Sequence, residues 1–185
     1  MTEHEFNPFQ LDVVAFAKAA GHIDGRWPLA QFDRLAESAV AEESPTEAEA
    51  DAVAWSARGE SRPARGGGPQ PWLHVKAQAR IALECQRCLR PVEVILEADR
   101  SFLFVPGEDA AAKIDADSEH DVLALTKALD LRELVEDELL LAMPLVPRHD
   151  VCPVPLQAPE NDEEAMQAPN PFAALAALKR DGGLT

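Results

Sequence analysis

The chain has 185 residues, with 17 Lys and Arg against 33 Asp and Glu, for a formal net charge of −16. That length holds one domain with a usable core plus a tail. Such an acidic balance repels anionic surfaces, so a nucleic-acid or membrane binder must show a local exception. The most apolar run, L-L-L-A-M-P-L-V at 139 to 146, contains Pro144 and is far short of the roughly 20 residues of a membrane span.

The first apolar run, V-V-A-F-A at 13 to 17, follows acidic residues rather than a basic leader. With three cysteines in the chain, the expected setting is a reducing cytoplasm with free or metal-bound thiols. Residues 12 to 20 place Val13, Phe16, Ala17 and Ala20 on one helical face, with Gly21 as a stop. A second helix is predicted from Pro28 to about Ala41, because Leu29, Phe32, Leu35 and Ala36 share a face.

The period then changes. Val53, Trp55 and Ala57 lie on one side of an extended segment, and residues 59 to 71, rich in Gly, Pro and Arg, read as a mobile connector. From Leu73 to Cys85 apolar residues alternate with mostly polar ones, which predicts a long strand with one buried face. P-V-E-V-I-L-E-A-D-R-S-F-L-F-V at 91 to 105 is the returning strand. The stretch C-Q-R-C at 85 to 88 is therefore placed at the tip of a hairpin.

Residues 106 to 120 read as an acidic loop, and V-L-A-L at 122 to 125 as one more strand. Asp130 and Glu133 have capping-box spacing ahead of a helix that carries Leu131, Leu134, Val135, Leu139 and Ala142 and stops at Pro144. Its other face, Glu133, Glu136, Asp137 and Glu138, reads as a solvated surface. Residues 144 to 155 are extended and proline-stiffened, and an acidic linker follows. N-P-F-A-A-L-A-A-L-K-R then has an N-cap at Asn170 and apolar anchors at Phe172, Leu175 and Leu178. About ten residues do not make a stable helix alone in water, so this one is expected to dock, either on its own domain or on a partner.

The predicted fold class is α+β: an antiparallel sheet with a long central hairpin, packed by the N-terminal helices and a helix near 130 to 143, plus a C-terminal tail helix. The expected division is a domain at 1 to 155, an acidic linker at 156 to 169 and a docking helix and tail at 170 to 185.

Two chemistries stand out. Cys85 and Cys88 at a hairpin tip match a zinc knuckle, and His149 and Cys152 would complete a Cys3His set, although about 60 residues separate the pairs. A reduced structural thiol cluster is the alternative. Redox catalysis is disfavoured, because an attacking cysteine normally sits at a helix N-terminus. No phosphate loop, nucleophile elbow or HExxH pattern occurs.

The charge exception lies between Arg58 and Arg90. Seven basic residues there face only Glu60 and Glu84, a net +5 that leaves −21 for the rest of the chain. Lys76 and Arg80 on the strand, with Arg87 and Arg90 at the tip, are the candidate RNA or partner contacts. An ordinary charged sheet face is the competing reading.

Three blocks carry a resemblance: L-E-C-Q-R-C-L-R-P, then L-V-E-D-E-L-L-L-A-M-P-L-V-P-R-H-D, then P-N-P-F-A-A-L-A-A-L-K-R, with R-L-A-E-S at 34 to 38. Together they resemble the YceD family of bacterial large ribosomal RNA subunit accumulation proteins. The resemblance implies a cytoplasmic, non-enzymatic factor for the synthesis, processing or stability of 23S ribosomal RNA. It brings no catalytic residue, no small-molecule substrate and no membrane. Its partner would be ribosomal RNA itself or a basic ribosomal protein or assembly factor, with −16 tilting toward protein. The alternative is a zinc-knuckle interaction or nucleic-acid-binding module unrelated to ribosomes.

Overall fold

The computed structural model describes residues 6–40, 52–63 and 68–154, and the helices and strands below belong to the unit ending at Asp150. Helix α1, Val13–Lys18, begins where the Asp12 side chain accepts the Ala15 N–H, and it buries Val13, Phe16 and Ala17. Next comes β1, His22–Pro28, a strand that the sequence pattern does not predict. Its alternation rests on Ile23, Gly25 and Trp27 among charged residues, too weak a signal to read unaided. The predicted second helix is shorter than expected: a single 3-10 turn, Leu29–Gln31, precedes α2, Asp33–Ser38. Val40 then leaves the helix and donates its N–H to Ala82 O at 2.8 Å.

The sheet is β2 Ala52–Arg62, β3 Gln70–Glu84, β4 Pro91–Val105 and β5 Asp121–Ala124, added to β1 in the order β1-β2-β3-β4-β5. The long hairpin is as predicted, with Glu84 opposite Pro91 and Trp72 opposite Leu103. Pairing is antiparallel except at the last edge, where β5 runs parallel to β4.

Two segments expected as loops contain regular structure. Gly59 to Arg62 belongs to β2, because Glu60 Oε2 accepts from Arg62 at 2.9 Å and lies 2.9 Å from His74 Nε2, while His74 Nδ1 lies 2.7 Å from Ser101 Oγ. Arg62 foremost, then His74, brings the Glu60 carboxyl down to about 2. The second is 106 to 120, which contains α3, Glu108–Asp115. Its alanines were masked by the surrounding acids, yet Ala111 packs with Trp72, Leu103, Val105 and Val122 in a small core on one face of the sheet.

The main core occupies the opposite face. Leu73, Val75, Ala77, Ala79, Ile81 and Leu83 alternate inward from β3 and meet Phe16, Leu35, Leu131, Val135 and Leu139 from the helices. Trp27 stacks on Trp55 at 4.1 Å. Gly59 lets α1 approach, since a Cβ there would lie 2.7 Å from Phe16 O. Helix α4, Leu131–Leu141, starts as the spacing predicts, with the Asp130 carboxylate accepting the Arg132 and Glu133 N–H groups.

The acidic face of α4 is a solvated surface only in part: Glu133 and Asp137 are exposed as expected. Glu136 and Glu138 are buried, at 8% and 7% exposure. Helix α2 has no side-chain cap of its own, and Glu136 Oε1 supplies one by accepting the Arg34 and Leu35 N–H groups at 2.8 and 3.1 Å. Burial alone would push its carboxyl up, but the Leu35 and Arg34 donors hold it below the ordinary value. Glu138 meets Arg100 Nε at 3.2 Å, and there burial prevails, raising the carboxyl.

Candidate metal centre

Strand β3 delivers Cys85 directly to the end of the hairpin. Cys85 N–H donates to Arg90 O at 2.9 Å and Leu89 N–H donates back to Cys85 O at 2.8 Å, which curls the chain so that Cys88 returns beside Cys85. Leu89 adopts a φ of +58°, the left-handed conformation that such a curl requires. No helix begins at the pair, so the dipole that activates redox cysteines is lacking at this tip.

The third member arrives from far along the chain. Between Cys88 and His149 the polypeptide makes β4, α3, β5 and α4, and the segment after α4 then returns to the tip, where Gln86 N–H donates to Pro147 O at 2.9 Å. His149 Nδ1 lies 3.5 Å from Cys88 Sγ. The wide sequence gap is thus the length of a sub-structure, not a spacing error. Cys85, Cys88 and His149 each offer a ligand atom within 4.8 Å of the others, a group that could hold a metal ion, and Cys152, three residues on from His149 in the sequence, is the fourth member of the expected Cys3His set.

The electrostatics suit that use. Cys85 is fully buried, which alone would push its thiol up, but the backbone N–H groups of His149, Arg87 and Cys88, with the His149 side chain, bring it down to about 5. Backbone donors aimed at a buried sulfur stabilise the thiolate, the form that binds metal. Three thiols and an imidazole form one of the donor sets of structural zinc sites, so the residues present fit the group.

The basic candidates fare differently from one another. Lys76 Nζ is 2.8 Å from Asp99, directly opposite in the hairpin, and Arg80 is 3.3 Å from Glu93. Gln78 donates to Glu97 at 2.7 Å between them. The hairpin register places Asp99 opposite Lys76 and Glu97 opposite Gln78, with Glu93 diagonal to Arg80, a signal available in the sequence once the tip is placed. Arg87 turns back into the fold, donating to His149 O at 2.7 Å and Asp150 O at 3.2 Å. Arg90 is exposed at the tip. An open cleft of about 470 Å³ beside the tip is lined by Arg87, Val94, Val146 and Arg148 among others. Phe172, Leu175 and Leu178 lie outside the described residues.

Comparison with known proteins adds the family. The profile described as large ribosomal RNA subunit accumulation protein YceD matches residues 73–179. The chain belongs to the YceD family. A relative from Haemophilus influenzae, named large ribosomal RNA subunit accumulation protein YceD, is 38% identical over 110 residues, which are 57% of this chain and 63% of that protein. No solved structure matches. The YceD match begins on β3 and takes in the knuckle, β4, α4 and all four metal-type residues, whereas α1, β1, α2 and β2 precede it. Among the described residues no helix is long and apolar enough to cross a membrane.

Proposed function

We propose that this chain is a non-enzymatic cytoplasmic adaptor that supports accumulation of the 23S RNA of the large ribosomal subunit by holding a basic ribosomal protein or assembly factor. The RNA connection is supported by the family description and by the name of the Haemophilus influenzae relative. The observation that carries the choice of a protein partner is the pairing of Lys76 with Asp99 and of Arg80 with Glu93. A strand face whose cations are already neutralised releases few counterions on meeting phosphate, so it gains little from RNA. The chain's −16 charge favours a basic partner instead. In this reading zinc, held by Cys85, Cys88, His149 and Cys152, supplies structural cross-linking of the tip to the returning segment. The helix predicted around Phe172, Leu175 and Leu178 serves as the docking peptide.

Direct RNA contact is the second reading, favoured by the exposure of Arg90 at the tip and of Arg148 on the returning segment. Titration of the purified chain with 23S RNA fragments over a range of salt separates the two. The adaptor reading expects weak binding that the double substitution Arg80→Glu and Arg90→Glu leaves unchanged. Tight, steeply salt-dependent binding that the double substitution abolishes would replace it with the RNA reading.

A further inference from the structure

We infer that Arg87 is the positioning residue of the metal centre, the side chain that sets His149 against the cysteine pair. The inference rests on the metal reading above and goes beyond it. The two thiols of the tip are arranged by their own turn, through the Cys85–Arg90 and Leu89–Cys85 backbone bonds. His149 enjoys no such local arrangement, because it enters on a proline-flanked segment 61 residues after Cys88. That segment is held at the tip by the Gln86 N–H on Pro147 O and by one guanidinium nitrogen of Arg87 that donates to two successive carbonyls, those of His149 and Asp150. Arg87 thus grips the backbone of the ligand itself, while its neighbours in sequence, Cys85 and Cys88, supply the sulfurs.

The chemistry favours arginine for this task. A planar, permanently charged guanidinium fixes the N–H groups of its terminal nitrogen in one plane toward the two carbonyls, whereas a lysine ammonium is a flexible, freely rotating point charge. Outer groups that orient a metal ligand typically change metal affinity about 10–100-fold when removed. The same contact ties the Arg87 side chain to the returning segment, whereas Arg90 stands exposed at the tip.

The test uses the full-length reduced chain titrated with cobalt(II), whose visible d–d bands report the donor set and whose near-ultraviolet charge-transfer bands report bound thiolate. Wild type is expected to bind one equivalent with tetrahedral bands. Arg87→Ala is expected to keep the thiolate bands, to weaken binding about tenfold or more in chelator competition, and to shift the d–d envelope as His149→Ala does. Combining the two substitutions should add nothing to the loss from His149→Ala alone. Arg87→Lys should retain part of the affinity, and Arg90→Ala all of it. Wild-type affinity and spectrum in Arg87→Ala, or losses that add in the double variant, would overturn the positioning role while leaving the metal reading intact. A wild-type chain that binds no cobalt at all overturns both.

Discussion

Replacing Glu136 with alanine removes an acceptor on which a second helix depends. Its carboxylate takes hydrogen bonds from the Arg34 and Leu35 N–H groups and from Nε and a terminal nitrogen of the Arg34 side chain, at 2.8 to 3.2 Å. The guanidinium is half exposed and keeps Asp137 at 2.7 Å, so it finds other partners. The two N–H groups at the start of α2 do not, and each buried donor left unsatisfied costs about 1–3 kcal/mol. The expected loss for Glu136→Ala is therefore about 2–6 kcal/mol in urea unfolding with an unchanged m-value. Asp137→Ala, which touches the same guanidinium from the exposed side, should barely move the midpoint. The pH dependence follows from the depressed carboxyl: Glu136 contributes its stability above the ordinary value of 4.5, and this is lost as pH falls through the lower folded value. The gap between wild type and Glu136→Ala should thus narrow in acid. Equal midpoint shifts for the two variants, or a gap that widens in acid, would refute the capping role.

Glu138 should behave in the opposite sense. Its carboxyl is raised by burial, so its contribution is most favourable below 4.5 and declines as pH rises through the folded value; Glu138→Gln is expected to be at least as stable as wild type at neutral pH, and a loss above about 2 kcal/mol in urea unfolding would contradict this. Gly59→Ala forces a Cβ to within 2.7 Å of the Phe16 carbonyl oxygen, and the backbone shift should cost about 1–3 kcal/mol, read as a lowered Tm; an unchanged Tm would mean that α1 does not pack so closely on β2. Purified, reduced wild-type chain is expected to carry close to one zinc per molecule, and a chelator should lower its Tm; zinc below about a tenth of an equivalent would remove the metal reading.

Much of this architecture is legible because period 2 is a strong signal where one face is buried. The alternation from Leu73 to Cys85 locates β3, and it fixes the hairpin and its tip. The elements that escape the pattern are those whose burial comes from elsewhere. Strand β1 hides because its inward positions include Gly25, filled by the Trp55 ring. Helix α3 hides because its small inward residue, Ala111, gains its apolar setting from Trp72 and Leu103 of other strands. Glu136 and Glu138 look like surface residues because their partners, Arg34 and Arg100, are remote in sequence. The metal-type set was readable by residue type, whereas its convergence depends on the returning segment, which no local pattern encodes. The basic stripe is legible only in part for the converse reason: its cations stand in the sequence, but the pairing of Lys76 and Arg80 with acids is a property of cross-strand register.

The adaptor account is tested most directly by recovering the tagged full-length chain from cells with and without ribonuclease treatment of the lysate. The account predicts that the same basic ribosomal proteins or assembly factors come down at undiminished yield after nuclease, and that deleting residues 170 to 185 releases them while the domain stays folded. Loss of those proteins on nuclease treatment, with 23S RNA recovered only from untreated lysate, would contradict it.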